Sequence, residues 1–130
     1  MRRDPDLTIE VRGLMPPSLN TLMRMAWRKR EAEGKEWLDQ VAAHLAMARG
    51  QKRFPGGALV RVTRLFPPGQ PCDWDNFWAC AKFPIDALVK LGVVPDDDPS
   101  WVTLEGRQEG VQHKGQRGLR LELWCHDRGF

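Results

Sequence analysis

The sequence predicts a mixed α/β fold of the α+β type: a sheet of about four strands with two main helices on one face, in the order β-α-β-α-β-β. Several short segments alternate apolar and polar residues with the period of two that a half-buried strand requires. Two longer segments repeat apolar residues at intervals of three and four, as amphipathic helices do. With 130 residues, 42% of them hydrophobic, residues 1–130 are expected to form a single domain.

The first half of the chain supplies three of these elements. Residues 7–13 (LTIEVRG) alternate cleanly and predict the first strand. A proline-containing loop, LMPPSLN (14–20), leads into residues 21–49, whose composition and apolar spacing predict a helix. Gly34 is the candidate break within that helix, because glycine weakens a helix interior. Residues 58–66 (ALVRVTRLF) alternate again and predict the second strand.

The second half supplies one helix and two strands. Residues 75–91 predict a helix in which Pro84 either introduces a kink or begins a second helix. Residues 101–110 and 117–125 both alternate, and a short polar connection separates them. Two adjacent strands with such a connection predict an antiparallel hairpin.

Composition excludes several classes of protein. No apolar run approaches the roughly 18 residues of a membrane span, and the N-terminus lacks the apolar segment of a signal peptide. A cytoplasmic protein without a membrane partner is therefore expected. The three cysteines form no C-x-x-C pair, so scattered reduced thiols are expected rather than a zinc ribbon or a disulfide framework.

Negative charge is concentrated in one stretch of a basic protein. The chain carries a net charge of +3, but residues 1–70 contribute +6 and residues 71–100 contribute −4. Residues 71–101 contain six aspartates and two lysines and no other charged residue. A basic body with an acidic segment predicts an anionic partner and a carboxylate site that acts through a divalent cation.

The aspartates of this segment are spaced in a way that suits phosphodiester chemistry. On a helix, Asp75, Lys82 and Asp86 fall on one face, although a solvated face with a Lys82–Asp86 pair is the ordinary alternative. If residues 73–75 are extended, Asp73 points the same way as Asp75, and residues 96–98 add three aspartates. Converging carboxylates repel one another unless a cation offsets their charge, and their oxygens favour Mg²⁺ or Mn²⁺. A lysine beside such a site stabilises charge on a transferring phosphoryl group.

Together these motifs resemble the RusA family of Holliday-junction resolvases. The motifs, in chain order, are PPSLN (16–20), DWDN (73–76), Lys82, IDAL (85–88) and GVVPDDD (92–98). The resemblance implies a mixed α/β fold, a homodimer, Mg²⁺-dependent cleavage with Mn²⁺ as an alternative ion, and paired incisions in branched, four-way DNA. It also implies a bacterial or phage origin.

The resemblance implies roles for individual residues by motif position. The implied catalytic and metal-binding carboxylates are Asp73, Asp75 and Asp97. Lys82 corresponds to the catalytic lysine, although five residues separate it from the DN pair where the best-known members have two. Both spacings approximate whole helical turns, so the lysine stays on the same helix face. Asp86 and Asp96 match recurrent acidic positions with a supporting role.

The basic half of the chain contains the candidate DNA contacts. WRKR (27–30) and Arg24 one turn earlier concentrate positive charge near a helix start, where they are expected to hold phosphates. A solvated face is the alternative. The candidate DNA-binding residues are Asn20, Arg24, Arg28, Lys29 and Arg30, with Asn20 carried over from the resemblance. Trp74 and Trp78 flank the acidic site, and each either stacks on a base or packs in the core.

Three functions follow as hypotheses. The first is a Mg²⁺-dependent, structure-selective endodeoxyribonuclease that resolves four-way junctions as a homodimer in DNA recombination or repair. The second is a branched-DNA-binding module without catalytic activity. The third is a metal nuclease that acts on flaps, single strands or other DNA structures.

Overall fold

A four-stranded mixed sheet forms the centre of the protein, as a computed structural model covering residues 2–126 describes. The strands are β1 (Leu7–Arg12), β2 (Ala58–Phe66), β3 (Val102–Gly110) and β4 (Gly118–Cys125). The helices are α1 (Leu19–Arg24), α2 (Trp27–Met47) and α3 (Trp74–Lys90), and a 3-10 turn (Lys114–Gln116) lies between β3 and β4. The predicted fold class is confirmed. Residue 1 and residues 127–130 of the expected 1–130 domain lie outside the described residues.

The predicted antiparallel hairpin of the last two strands is wrong. The sheet order is β1-β4-β2-β3, so β2 lies between β3 and β4. Val62 of β2 pairs with Gly106 in a parallel ladder and with Leu121 in an antiparallel one. The helix α3 carries the chain from β2 back to the start of a parallel neighbour, as a β-α-β crossover does. Residues 111–117 then cross two strand spacings, roughly 10 Å.

Two expectations about the helices also change. The first helical segment breaks at Met25 and Ala26, whose backbones are extended, and not at Gly34, which lies inside α2. This break adds the short helix α1 to the predicted order. The helix α3 runs through Pro84 without interruption, so the expectation of a second helix starting there is wrong. A proline inside a helix removes one backbone hydrogen bond, which the buried packing of Pro84 offsets.

The core lies between the helices α2 and α3 and one face of the sheet. The apolar face of α3, predicted from its spacing, is buried at Phe77, Ala81 and Leu88. Trp37 and Val41 of α2 are fully buried in the same core cluster. The helices therefore occupy one face of the sheet, and the outer side of α3 is left for polar groups. No helix within residues 2–126 is long and apolar enough to cross a membrane.

The opposite face of the sheet is covered by ion pairs. Arg120 donates to Glu10 and Glu109, and Arg61 donates to Glu105. We call this surface the ion-paired face; its ion-paired residues are Arg2, Glu10, Arg12, Arg61, Glu105, Glu109, Arg120 and Glu122. These four arginines and four glutamates balance in charge, and the exposed Arg107 of β3 lies on the same face between Glu105 and Glu109.

Candidate nucleic-acid interface and carboxylate site

The acidic motif DWDN forms the start of α3. Asp73 is the N-cap: its Oδ1 accepts the backbone N–H of Asn76 at 2.9 Å, and its Oδ2 accepts the Asn76 side-chain amide at 3.2 Å. Asp75 lies in the first turn and is exposed. Because the helix begins at Trp74, the expectation that Asp73 and Asp75 point the same way along an extended segment is wrong. Their carboxylates nevertheless lie within one helical turn.

Two side chains at the end of the sheet hold the segment that precedes Asp73. The amide of Gln108 bonds both backbone groups of Cys72, accepting its N–H at 3.0 Å and donating to its carbonyl at 2.7 Å. Arg64 is the neighbour of Gln108 in the β2–β3 register, and its Nη1 donates to the Gln70 carbonyl at 2.9 Å. These bonds fix the position of the segment that leads from the sheet to Asp73 and α3.

Asn76 joins the acidic motif to the proline loop, a role that sequence reasoning missed. Its side-chain Oδ1 accepts the backbone N–H of Leu19, the first residue of α1, at 2.9 Å. Its amide nitrogen donates to Asp73 at the same time. Helix capping at α1 belongs to Ser18, which accepts the N–H of Thr21, and this leaves the Asn20 side chain available. The asparagine directly after the second aspartate of DWDN was the available signal.

Three of the five candidate DNA-binding residues come together. Asn20, Arg24 and Lys29 line a depression of about 500 Å³ where α1 meets α2. No acidic residue within residues 2–126 lines it. Arg28 is exposed beside it on the first turn of α2, whereas Arg30 bonds the Leu22 carbonyl and so ties the two helices together. We call this depression the α1–α2 basic surface; Asn76 connects it to Asp73 through Leu19.

The tryptophans beside Asp75 lie at the surface. The side chain of Trp74 is 52% exposed and that of Trp78 is 37% exposed. Both rings pack edge-to-face against Phe77, with centroids 5.0 and 4.9 Å apart. Each indole therefore keeps an open part next to the acidic motif.

The remaining candidate residues lie further along α3. Lys82 and Asp86 line a groove of about 860 Å³ between the three helices, and most of its lining is apolar. Burial raises the pKa of Asp86; the nearby Lys82 lowers it, Asp97 raises it and Lys90 lowers it, and the net direction is upward. Asp97 therefore lies within electrostatic reach of Asp86.

The predicted carboxylates do not converge within one chain. Asp75 and Asp86 are separated by three turns of α3, about 16 Å along its axis. Trp74 and Phe77 at the start of α3 face Gly106, whereas Asp97 precedes the first residue of β3. Asp73 and Asp75 thus lie at one end of the helix, and Asp97 lies with Asp86 towards the other. Within residues 2–126, no group of three or more Cys, His, Asp or Glu side chains is arranged to hold a metal ion.

The two neighbours of Asp97 form turns. The Asp96 side chain accepts the N–H of Asp97 at 2.8 Å, and the Asp98 side chain accepts the N–H of Ser100 at 2.8 Å. These bonds are typical of aspartates that shape a loop. Asp97 itself is exposed. Asp96 therefore orients the backbone of Asp97; its supporting role at a metal site stays a prediction.

No protein-family model and no curated protein matches this sequence.

Proposed function

We propose that this protein is a Mg²⁺-dependent, structure-selective endodeoxyribonuclease that resolves four-way DNA junctions as a homodimer. One observation carries the proposal: Asn76 bonds Asp73 on one side and Leu19 on the other. That link holds the exposed carboxylate of Asp73, with Asp75 two residues later, next to a basic surface that no acidic residue of the described chain lines. A phosphate held by cations beside carboxylates that can bind Mg²⁺ is the arrangement that metal-dependent phosphodiester hydrolysis requires.

The donor chemistry of Asp73 and Asp75 fits Mg²⁺. The ion prefers oxygen ligands and is commonly bound through one or two carboxylates, with water and substrate phosphate completing its coordination. The two aspartates at the start of α3 would therefore supply part of such a site, and Asp97 is the third carboxylate of the proposed set. Mn²⁺ accepts the same ligands. When bound, the ion would supply an activated water and neutralise charge on the scissile phosphate.

The chain's own residues would bind and orient the DNA. Arg24 and Lys29 neutralise backbone phosphates, which favours binding that depends on salt and not on sequence. Lys82 lies two turns after Asp75 on the same helix face, where its ammonium offsets charge on a phosphate that approaches Asp75. The open part of Trp74 offers a stacking surface for an unpaired base at a branch point.

The separation of Asp97 from Asp75 supports the homodimer. A second copy is the natural source of a third carboxylate, because one chain holds Asp97 at the other end of α3. Two copies related by a two-fold axis would then carry two equivalent sites, as paired incision requires.

The decisive experiment incubates purified protein with a labelled four-way junction, with Mg²⁺ or with chelator. We expect symmetric nicks near the crossover with Mg²⁺, and a loss of about 100-fold or more in Asp75→Asn. Asp39→Asn, an exposed aspartate on α2, is the matched control and should cut like the wild type. Intact junction under saturating binding would show a binding module, and equal cutting of flaps or single strands would show a less selective nuclease.

A mixing experiment tests the shared site. Asp75→Asn and Asp97→Asn are each expected to be inactive, but a mixed dimer would keep one intact site if each site takes Asp97 from the other copy. We expect the mixture to nick one strand without resolving the junction. Asp98→Asn, which keeps the capping oxygen, is the matched control in the same loop and should retain activity. A mixture that stays inactive would place all the carboxylates of a site in one chain.

A further inference from the structure

A second basic pocket is lined by Asn76 and by Ser18, the residue before Leu19. It has a volume of about 300 Å³ and lies between the proline loop, the end of β2 and the connection from β3 to β4. Three cations line it: Arg64, Lys114 and Arg117. Arg64 is distant in sequence from Lys114 and Arg117, which share one connection, and no acidic residue of the described chain lines the pocket. Tertiary packing therefore gathers positive charge here that no run of basic residues indicates.

The cations of this pocket lack ion-pair partners. Within residues 2–126, none of the three forms an ion pair with a carboxylate, whereas Arg2, Arg12, Arg61 and Arg120 of the ion-paired face all do. Arg64 uses Nη1 to hold Gln70, and its buried Nε has no hydrogen-bond acceptor among the same residues. A half-buried guanidinium without a counterion is costly, and a bound anion would offset that cost.

The thiols of the pocket do not supply the missing negative charge. Burial raises the pKa of Cys80 to about 11, although Arg64 nearby lowers it. Burial also raises the pKa of Cys72. Both thiols are therefore neutral near pH 7 and do not offset the charge of the cations.

We infer that this pocket binds one phosphate group of a nucleic-acid backbone. Arginine offers paired N–H donors to phosphate oxygens and lysine adds a mobile point charge, so Arg117 and Lys114 suit a phosphodiester. Asn76 and Ser18 also line the pocket, which places it beside the loop that begins α1. DNA as the source of the phosphate rests on the proposed function; the affinity for phosphate itself does not. The bound strand would then be gripped on both sides of the acidic motif.

The first test titrates inorganic phosphate into isotope-labelled protein and follows backbone amides by NMR. We expect saturable shifts at Gly115, Gln116 and Asn76 that disappear in Lys114→Gln/Arg117→Gln. The matched control, Arg49→Gln/Lys52→Gln, removes the same charge at the far end of α2 and should keep the shifts. Lys114→Gln by itself changes one exposed side chain and serves if the double variant is unstable. Absent shifts, or equal shifts in the double variant, would overturn the inference.

The second test measures junction binding without Mg²⁺ over a range of salt. We expect the double variant to bind about 10-fold more weakly at low salt, with a salt slope smaller by about 1, the value for one lost phosphate contact. An unchanged slope, in a wild type that binds junctions, would overturn DNA as the source and leave free phosphate. A wild type that neither binds nor cuts junctions would defeat the proposed function, while the phosphate titration still decides the pocket.

Discussion

Arg61 and Arg64 lie three residues apart in β2 and face opposite environments. Arg61 points to the ion-paired face, where it donates to Glu105 at 2.8 Å and lies 5.0 Å from the ring centre of Trp124. Arg64 points to the other face beyond the helices, where it holds the Gln70 carbonyl and has no carboxylate partner among the described residues. One strand thus presents a neutralised cation and an uncompensated one.

The two faces of the sheet differ in whether their cations are available to bind an anion. On the ion-paired face, Arg2, Arg12, Arg61 and Arg120 are already bonded to glutamates, so a phosphate that binds them would have to displace a carboxylate. Among the described residues, no acidic residue lines the α1–α2 basic surface or the pocket of Arg64, Lys114 and Arg117, so a phosphate that binds there displaces no carboxylate. A net charge of +3 describes neither surface, because it averages over both.

The largest effect on DNA binding is expected at the α1–α2 basic surface, in the double variant Arg24→Gln/Lys29→Gln. Removing two phosphate contacts should weaken junction binding about 10- to 100-fold at low salt and reduce the salt slope by about 2. Binding curves at several salt concentrations measure both quantities. Arg49→Gln/Lys52→Gln is the charge-matched control and should bind like the wild type. A double variant that matches this control would remove the α1–α2 basic surface from the DNA interface.

A smaller effect, on stability rather than on binding, is expected in Arg61→Ala. The change leaves the partly buried Glu105 with one fewer donor and removes the guanidinium beside Trp124. We expect the free energy of unfolding to fall by about 1–2 kcal/mol in urea denaturation, with junction affinity unchanged within about twofold. The control Arg107→Ala, an exposed arginine on β3, should stay within about 0.5 kcal/mol of the wild type. Loss of junction binding by a still-folded Arg61→Ala would show that the ion-paired face also binds DNA.

The smallest expected effect is a fall in the free energy of unfolding as the pH is lowered. Partial burial raises the pKa of Glu105, but hydrogen bonds from Arg61 and Arg2 lower that pKa by more. The pKa of Glu10 is lowered in the same way by hydrogen bonds from Arg12 and Arg120. A lowered pKa in the folded state means that stabilisation is present above the ordinary value of 4.5 and is lost as pH falls through the folded value.

We expect less than about 1 kcal/mol from this source, because water screens both glutamates. Urea denaturation at pH 6 and pH 3.5 measures the loss. Glu105→Gln should show a smaller difference between the two pH values than the wild type. An equal difference would mean that this carboxylate is not stabilised by its arginines.

The sequence predicted the elements of the fold better than their pairing. Alternation in residues 58–66 and the apolar spacing of residues 75–91 correspond to β2 and α3, because side-chain periodicity directly reports which face is buried. Pairing depends on which strands meet in space. A connection such as residues 111–117 suits either a hairpin or a crossing over β2, so proximity in sequence favoured the wrong one.

The candidate site divides in the same way. The residue types of an acidic motif, a basic helix start and a lysine on the helix face could be read from spacing, since each lies within one local segment. The bond from Asn76 to Leu19, the distance between Asp97 and Asp75, and the pocket of Arg64, Lys114 and Arg117 could not.

By itself, the sequence determined the fold class, the faces of α3 and the segregation of acidic from basic residues. These properties follow from local periodicity and composition, which act over a few turns of helix or a few residues of strand. Which cations form ion pairs with carboxylates follows from the tertiary structure alone, because ion pairing depends on distances between residues far apart in the chain. Arg61 and Arg64 are the same residue type in one strand. The glutamates of the neighbouring strands lie on the face of the sheet that Arg61 occupies and not on the face of Arg64.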